Sequence, residues 1–264
     1  MSKSRYPKCV LCLQSIKKDL TWSELFSFIP LEDRVLCDPC KNSFELWADQ
    51  RKEIFCQACG RSLLIASQNP YQKSYLFLED GLNYCYDCYR WRQTYSLQIV
   101  RNNSLFNYQK VFKDWIYTYK YLGDCRLAQA MQPFLKKIDR NYLDYQWLVL
   151  PSAPESIEKR LFHPTAYLLK TADIPYLCPF IYQGDGKRQA EKSRLDRIAL
   201  KQPFCLDLNV LSKVKFDQKI LLFDDVYTTG ATMIRAKMAL IDSGFDSGLI
   251  ESLTLARDNL KGAR

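Results

Sequence analysis

The sequence predicts an α/β protein, in which a doubly wound parallel sheet follows a cysteine-rich N-terminal module. Two observations lead to this fold class. Helix and strand patterns alternate from about residue 105 onward, and eight of the eleven cysteines lie before residue 90. Since 264 residues are enough for a globular domain and a smaller module, we expect two domains, at 1–95 and 96–264.

The N-terminal cysteines form four Cys-x2-Cys pairs, CVLC, CDPC, CQAC and CYDC, which are separated by 24, 15 and 25 residues. Each pair places two sulfurs on one tight turn, and two such turns complete the tetrahedral shell of a structural Zn²⁺. The near-equal long gaps favour sites made by neighbouring pairs; the alternative joins the first pair to the third and the second to the fourth. Neighbouring pairs would give one site from Cys9, Cys12, Cys37 and Cys40, and a second from Cys56, Cys59, Cys85 and Cys88.

Disulfide bonds are the other interpretation of paired cysteines, and the sequence disfavours them. The N-terminal stretch MSKSRYPKCVLC lacks the apolar core of a signal peptide, and no apolar stretch approaches the ~18 residues that a membrane span needs. We therefore expect a cytoplasmic protein without a membrane span. Its formal charge of +9 permits a polyanionic partner. The remaining cysteines, Cys125, Cys178 and Cys205, are interpreted as ordinary thiols.

The second domain alternates helical and extended patterns. Apolar residues follow one helical stripe over 125–138, and Pro164 suits the first position of a helix over 164–172. A helix after residue 228 stops at Gly244, between two apolar runs, which makes a right-handed βαβ unit. The expected strands lie within 147–154, 174–180, 219–223 and 250–256.

The stretch FDDVYTTGAT carries the main functional prediction. Asp224 and Asp225 follow four apolar residues, at the carboxyl end of a strand, where ligands bind in such sheets. A helix cap explains one acidic residue and one threonine, but it does not explain two adjacent carboxylates. Two carboxylates can accept hydrogen bonds from vicinal hydroxyls, and amides at a helix N-terminus suit a phosphate. The sequence therefore predicts a ribose-phosphate site, with its phosphate-binding turn formed by Thr228, Thr229, Gly230, Ala231 and Thr232.

FDDVYTTGAT resembles the phosphoribosyl-pyrophosphate (PRPP) motif of type I phosphoribosyltransferases, and the whole chain resembles the ComF-type late-competence family within that superfamily. This family also has N-terminal Cys-x2-Cys pairs and a Lys-aromatic-x-Gly-Asp segment, which KYLGD at 120–124 matches. The resemblance implies a type I phosphoribosyltransferase-like sheet behind a zinc-ribbon-like module. It implies that Asp224 and Asp225 bind the ribose hydroxyls and that 228–232 binds the 5-phosphate of PRPP. The pyrophosphate loop would be 151–154, with Mg²⁺ bridging pyrophosphate and ribose oxygens.

One segment departs from the family pattern. The family usually carries Arg-Gly-Phe-Asn-Gln after the pyrophosphate loop, whereas this chain has RLFHP at 160–164. Arg160 is carried over as a catalytic residue. The chain's one histidine, His163, is either a proton donor or, as we favour, a residue at the start of the helix that Pro164 begins. Because the family's Gly, Asn and Gln are absent, binding without transfer is expected first, and an active phosphoribosyltransferase is the alternative.

The resemblance also implies a role in DNA uptake during natural transformation, with single-stranded DNA and the competence DNA helicase as partners. A flexible basic loop closes over the site in this family, and 184–201 matches it. A dense aromatic set at 106–121 would suit stacking of nucleobases. A third hypothesis is a nucleotide-sensing adaptor whose cysteine module docks a protein. The DNA-contacting residues are predicted to be Lys187, Arg188, Lys192, Arg194 and Arg197.

Overall fold

The computed structural model of the protein describes residues 7–16, 22, 26, 34–44, 46, 54–63, 76–95, 99–183 and 202–258. The predicted α/β class is confirmed, because a five-stranded parallel sheet forms the centre of the fold. Within the described ranges, no helix has the length and apolar character needed to cross a membrane.

The strands, in chain order, are β1 (Leu76–Glu79), β2 (Leu82–Cys85), β3 (Asn102–Asn107), β4 (Tyr145–Val149), β5 (Tyr176–Leu177), β6 (Phe180–Tyr182), β7 (Phe204–Leu206), β8 (Lys219–Tyr227) and β9 (Ile250–Arg257). The helices are α1 (Asp38–Asn42), α2 (Tyr86–Tyr95), α3 (Lys110–Ile116), α4 (Gln132–Asp139), α5 (Pro154–Arg160), α6 (Pro164–Thr171), α7 (Leu208–Leu211) and α8 (Ala231–Asp242). A π-helical turn (Tyr117–Tyr121) and a 3₁₀ segment (Cys125–Met131) connect α3 to α4.

The central sheet has the strand order β3-β9-β8-β4-β5, so β8 lies in its middle. Strand β8 is buried along almost its whole length because a parallel sheet is covered on both faces. Alternate side chains of β8 therefore enter two different cores: Leu221 and Phe223 pack in one, and Ile220 and Leu222 in the other. We call these the first core and the second core.

The two cores each contain one part of the cysteine module. Cys9 and Phe44 pack in the first core, with the Phe44 ring 5.4 Å from that of Phe106 on β3. Cys59 and Trp91 pack in the second core, together with α8. The module is thus in direct contact with the sheet, while the domain boundary at residue 95 stays a prediction.

Several predicted elements differ from the structure. Strand β3 was not predicted, because NNSLFN is mostly polar and owes its extended form to pairing with β9. The run at 174–180 is divided between β5 in the central sheet and β6, which pairs with β7. The helix at 125–138 begins as the 3₁₀ segment, and β8 continues four residues beyond the predicted end at Phe223.

The helices that border the site agree with the sequence. Helix α6 begins at Pro164, and α8 is followed by Gly244 with φ 95°, a left-handed conformation that favours glycine at a helix C-terminus. Helix α8 directly follows β8, and His163 at the start of α6 faces the Ser152 N–H just beyond β4, so both N-termini lie at the edge of the sheet where β4 and β8 end.

Candidate functional site

The two aspartates lie in the last part of β8, at the carboxyl end of the sheet. The backbone N–H of Asp225 donates a hydrogen bond to Asp224 Oδ1 over 2.8 Å. Asp225 is buried, and its Oδ2 forms an ion pair with Lys120 Nζ. Lys120 lies in the π-helical turn, an irregularity that is common at functional sites. The Lys-aromatic-x-Gly-Asp segment of the sequence therefore meets the acidic pair directly.

The surroundings of Asp224 disfavour the charged form of its carboxylate. Burial and the neighbouring Asp225 raise the pKa of Asp224 to about 7, although Lys120 and a hydrogen bond from Thr165 act in the opposite direction. The same two aspartates raise the pKa of Lys120 against the effect of its burial. One lysine is thus shared between two carboxylates, and hydrogen-bond donors from a ligand would stabilise the second charge.

The turn after β8 is built on Gly230. This residue has φ 82°, and a Cβ added to it would lie 2.1 Å from Tyr227 Oη, so any other residue would be both strained and obstructed. Helix α8 begins directly afterwards at Ala231. The Thr229 hydroxyl is turned inward and accepts a 3.4 Å hydrogen bond from the Ala231 N–H. The Thr229 side chain therefore contacts the first residue of α8, and the part of Thr229 that suits a phosphate is its backbone.

Arg257, at the end of β9, binds the backbone of this turn from inside the protein. Its guanidinium is fully buried, stacks on the Tyr227 ring at 4.6 Å, and donates to the carbonyl oxygens of Tyr227, Thr228 and Asp258. Its other terminal nitrogen, Nη2, lies 3.4 Å from Cys59 Sγ. One side chain therefore connects the turn to a cysteine of the module.

Trp91 on α2 makes a second connection of the same kind. Its indole Nε1 donates a 2.8 Å hydrogen bond to the Thr229 carbonyl oxygen, and both groups are buried. Since Cys88 lies on the first turn of α2, the helix that carries a cysteine of the module also reaches the turn.

The cysteines form two compact clusters, and the pairing of neighbours is confirmed. The sulfur atoms within each cluster all lie within 4.8 Å of one another, which is a geometry that could hold a metal ion. The Sγ atoms of Cys12 and Cys37 are 3.6 Å apart and those of Cys59 and Cys85 are 3.7 Å apart. A tetrahedron with Zn–S bonds of about 2.3 Å needs sulfurs roughly 3.8 Å apart, so four thiolates of each cluster fit Zn²⁺. The first cluster is Cys9, Cys12, Cys37 and Cys40, and the second cluster is Cys56, Cys59, Cys85 and Cys88.

The second cluster is an electrostatic partner for Arg257. Hydrogen bonds from the other three thiols lower the pKa of Cys59, and the Arg257 charge lowers it further. Burial alone would lower the pKa of Arg257, but the Cys59 sulfur and Tyr227 raise it. A buried guanidinium needs such a counter-charge, and four thiolates around one Zn²⁺ would supply it with a net charge of about −2.

Arg160 and His163 both lie in the segment RLFHP, where Arg160 matches the family pattern and His163 stands in place of its Asn. The Arg160 guanidinium carbon is 5.9 Å from the centre of the Tyr121 ring, next to Lys120 in the chain. His163 occupies the N-cap of α6, where Nδ1 faces the Ala166 N–H, as the sequence favoured, while Nε2 faces the Ser152 N–H of the predicted pyrophosphate loop. Burial lowers the pKa of His163, which disfavours the protonated form that a proton donor needs.

The predicted DNA-contacting residues, Lys187, Arg188, Lys192, Arg194 and Arg197, lie outside the described residues, as does the whole loop at 184–201. The sequence also missed two important residues. Arg257 follows an apolar strand and Trp91 lies in a polar stretch, and neither has a local pattern that indicates its partner. The sequence offered one weak signal for them. Each is a large residue that lies next to a predicted feature: Arg257 follows the strand predicted at 250–256, and Trp91 follows the last Cys-x2-Cys pair.

Two known proteins are similar to this chain over nearly its whole length. The competence protein ComFC of Streptococcus pneumoniae (strain ATCC BAA-255 / R6) is 30% identical over 237 residues, which cover 90% of this chain and 94% of the relative. The competence protein ComFC of Bacillus subtilis (strain 168) is 26% identical over 262 residues, which cover 94% of each. No protein-family model matches the chain.

Proposed function

Because the chain belongs to the ComFC family of competence proteins, we propose that it takes part in DNA uptake by binding a ribose phosphate and single-stranded DNA at adjacent places. The ribose phosphate is PRPP or a related molecule, bound by Asp224, Asp225 and the turn at 228–232. The DNA lies beside it, along the aromatic surface near Lys120.

The observation that carries the ribose-phosphate proposal is the acidic pair in front of a helix N-terminus. The pKa of Asp224 is raised to about 7, so its charged form lacks sufficient partners within the protein. Groups that are kept in such an unfavourable environment occur preferentially at functional sites. Two vicinal hydroxyls would donate to Asp224 and Asp225, and a phosphate one sugar away would meet the N-terminus of α8. Mg²⁺, when bound with PRPP, would neutralise pyrophosphate charge.

A pair of exposed aromatic rings supports the DNA proposal. Tyr117 and Tyr121 are 56% and 47% exposed, and their rings stack 5.7 Å apart on the π-helical turn that carries Lys120. Arg160 packs over Tyr121, which adds a positive charge to the same surface. Aromatic rings beside cations bind single strands because every base can stack and every phosphate is negative.

One observation keeps phosphoribosyl transfer as a second candidate. Leu161 stands where the family usually has glycine, and it adopts φ 64°, a left-handed conformation that glycine adopts at little cost. It is 90% exposed, so the side chain itself obstructs nothing within the protein. The backbone of the segment 160–164 is therefore compatible with phosphoribosyl transfer as well as with binding alone. Release of pyrophosphate from PRPP in the presence of a candidate base would favour transfer over binding.

We further propose that both clusters hold structural Zn²⁺, since a shell of four thiolates leaves no open position for water. The competence DNA helicase remains the proposed protein partner. Zinc analysis of the purified protein should find two ions per chain. One ion or none would contradict this assignment.

Calorimetric titration of PRPP with Mg²⁺ tests the ribose-phosphate site. We expect Asp224→Asn and Asp225→Asn each to weaken binding, because a hydrogen bond to a charged group contributes roughly 1.5–3 kcal/mol. Asp242→Asn is the matched control, since this exposed aspartate lies at the far end of α8. Equal affinities in all four proteins would overturn the proposed site.

Fluorescence anisotropy with a labelled oligonucleotide tests the DNA surface. We expect affinity to fall as salt rises, and Tyr121→Ala to remove roughly 1–3 kcal/mol of stacking. Leu143→Ala changes an exposed apolar residue elsewhere and should leave the affinity unchanged. Binding that Tyr121→Ala and Tyr117→Ala both leave intact would place the DNA on another surface.

A further inference from the structure

We propose that Arg257 is a positioning residue that joins the second cluster to the phosphate-binding turn, so that metal in this cluster and phosphate at the turn favour each other. The inference rests on the proposed function for the phosphate itself. Its structural part, the order of the turn, is independent of any ligand.

Arg257 is bound at both ends of its guanidinium group. Nη1 donates to the Tyr227 and Asp258 carbonyl oxygens over 2.9 and 3.0 Å and also to that of Thr228, whereas Nη2 points to Cys59 Sγ at 3.4 Å. The guanidinium is planar and rigid, so the cluster and the turn cannot move independently while both ends are bound.

Trp91 adds a neighbouring attachment. Arg257 holds the carbonyl oxygen of Thr228, and Trp91 Nε1 holds that of Thr229 at 2.8 Å. Both donors are buried, and Trp91 lies on the helix that begins directly after Cys85 and contains Cys88. Two successive carbonyl groups of the turn are therefore attached to the second cluster or to its helix.

The attached carbonyls fix the amides that a phosphate would use. A trans peptide unit is planar, and its N–H points away from its C=O. With the Thr228 and Thr229 carbonyls held toward the module, the N–H groups of Thr229 and Gly230 are directed to the opposite side. Loss of the attachment would let these peptide planes rotate, and the amides would have to be reordered when phosphate binds.

Metal in the second cluster secures this attachment. Four thiolates around a divalent ion carry a net negative charge, and Arg257 is a buried cation directly beside them. The metal also fixes the position of Cys59 Sγ by bonding it to three other sulfurs. Linkage then requires reciprocity: if metal strengthens phosphate binding, phosphate must strengthen metal binding by the same factor.

Hydrogen–deuterium exchange of the full-length, zinc-loaded protein tests the inference. In Arg257→Gln, we expect faster exchange of the amides at 228–232 than in the wild type, while peptides from β4 stay unchanged. Trp91→Phe, which keeps the ring but loses the donor, should give a smaller increase in the same peptide. The control is Cys12→Ser, which removes an exposed ligand of the first cluster and should leave exchange at 228–232 at the wild-type rate.

Two further readouts separate a positioning role from a merely structural one. Arg257→Gln should raise the Kd for PRPP within the usual range of coupling, about 5- to 150-fold. Saturating PRPP should slow zinc transfer from the wild type to a colorimetric chelator, and it should do so less in Arg257→Gln. If Arg257→Gln does not fold, the same measurements are made on Trp91→Phe, for which we expect smaller changes in the Kd for PRPP and in the rate of zinc transfer.

The outcomes distinguish the inference from the proposed function. Unchanged exchange at 228–232 in both Arg257→Gln and Trp91→Phe would overturn the inference, whatever PRPP does. Faster exchange combined with no PRPP binding by the wild type would support the attachment and overturn the proposed ligand. PRPP binding that is equal in wild type and Arg257→Gln would overturn the coupling and leave the proposed function standing.

Discussion

The two cysteine clusters come from nearly the same sequence unit but have different surroundings. In the first cluster Cys9 is buried, Cys12 is exposed, and Cys37 and Cys40 are partly exposed. All four cysteines of the second cluster are buried. The first cluster packs through Phe44 against the edge strand β3, whereas the second lies beside Arg257 at the end of β9. The Cys-x2-Cys spacing determines that a cluster forms, and the residues around the cluster determine which other parts of the protein it contacts.

The difference matters because, among the described residues, the turn after β8 lies in the surroundings of the second cluster and not in those of the first. The first cluster and the turn pack on different cores, so disturbing the first should affect mainly the module. The second shares a buried cation and a helix with the turn. Substitutions in the two surroundings test this contrast.

The largest contrast is expected between Cys59→Ser and Cys12→Ser. Both remove one cysteine of a cluster, but Cys59→Ser also leaves the buried Arg257 guanidinium without the sulfur next to its Nη2. Breaking a buried charge pair costs about 3–5 kcal/mol, so the free energy of unfolding should fall by at least this amount. Chemical denaturation of the two variants gives the comparison. Equal losses would show that the two clusters are equivalent.

A second contrast uses two glycines with similar backbone conformations, Gly230 and Gly123. Their φ values are 82° and 76°, but a Cβ would collide with Tyr227 Oη at Gly230 and meet nothing within 4 Å at Gly123. Gly123→Ala should cost about 1–2 kcal/mol from backbone strain alone. Gly230→Ala should lower the free energy of unfolding by about 1–3 kcal/mol more than this, because the Tyr227 ring must move away from Arg257 to make room for the new Cβ. Thermal unfolding measures both, and identical melting temperatures would contradict the close packing of the turn.

The third prediction concerns pH and Asp224. Its pKa is about 7 in the folded protein against an ordinary 3.8, so the unfolded chain loses this proton first as pH rises. The free energy of unfolding therefore falls between these two pH values and then stays level. Asp224→Asn removes this loss.

Asp224→Asn should thus be more stable than the wild type at about pH 8, by roughly 2 kcal/mol after allowance for partial exposure, and the gain should shrink toward about pH 5.5. Denaturant titrations at both pH values measure it, with Asp242→Asn as the control. A gain that does not depend on pH would show that Asp224 is ionised without difficulty in the folded state.

The smallest effect is expected for Trp91→Phe. The variant keeps an aromatic ring in the second core but loses the hydrogen bond to the Thr229 carbonyl oxygen. A buried hydrogen bond contributes about 1 kcal/mol, and the unpaired carbonyl adds to the loss. Trp115→Phe is a matched control, because its Nε1 donates to the Leu127 carbonyl oxygen in the first core. Both should lose similar stability, but only Trp91→Phe should weaken PRPP binding.

The sequence was sufficient where function depends on neighbours in the chain. Cys-x2-Cys spacing predicted both clusters and their pairing, and FDDVYTTGAT predicted a strand, a turn and a helix in the order that the structure has. Gly244 and Pro164 marked helix ends because their backbone chemistry acts locally. The family pattern marked the segment that contains Lys120, but the contact of Lys120 with Asp225 needed the structure.

The sequence was insufficient where a residue acts through a distant partner. Arg257 and Cys59 are separated by 198 positions, and an arginine after an apolar strand is usually exposed. Strand β3 is polar and is extended because β9 lies beside it, while β6 and β7 pair across more than twenty residues. Tertiary pairing overrides local preference in these elements.

A crystal structure of the zinc-loaded protein with PRPP and Mg²⁺ would show whether the acidic pair and the turn after β8 hold the ribose phosphate. We predict that the ribose hydroxyls contact Asp224 and Asp225, that the 5-phosphate accepts from the N–H groups of Thr229 and Gly230, and that Arg257 still bridges the turn to Cys59. PRPP bound at another place, with this turn empty, would overturn the proposed site.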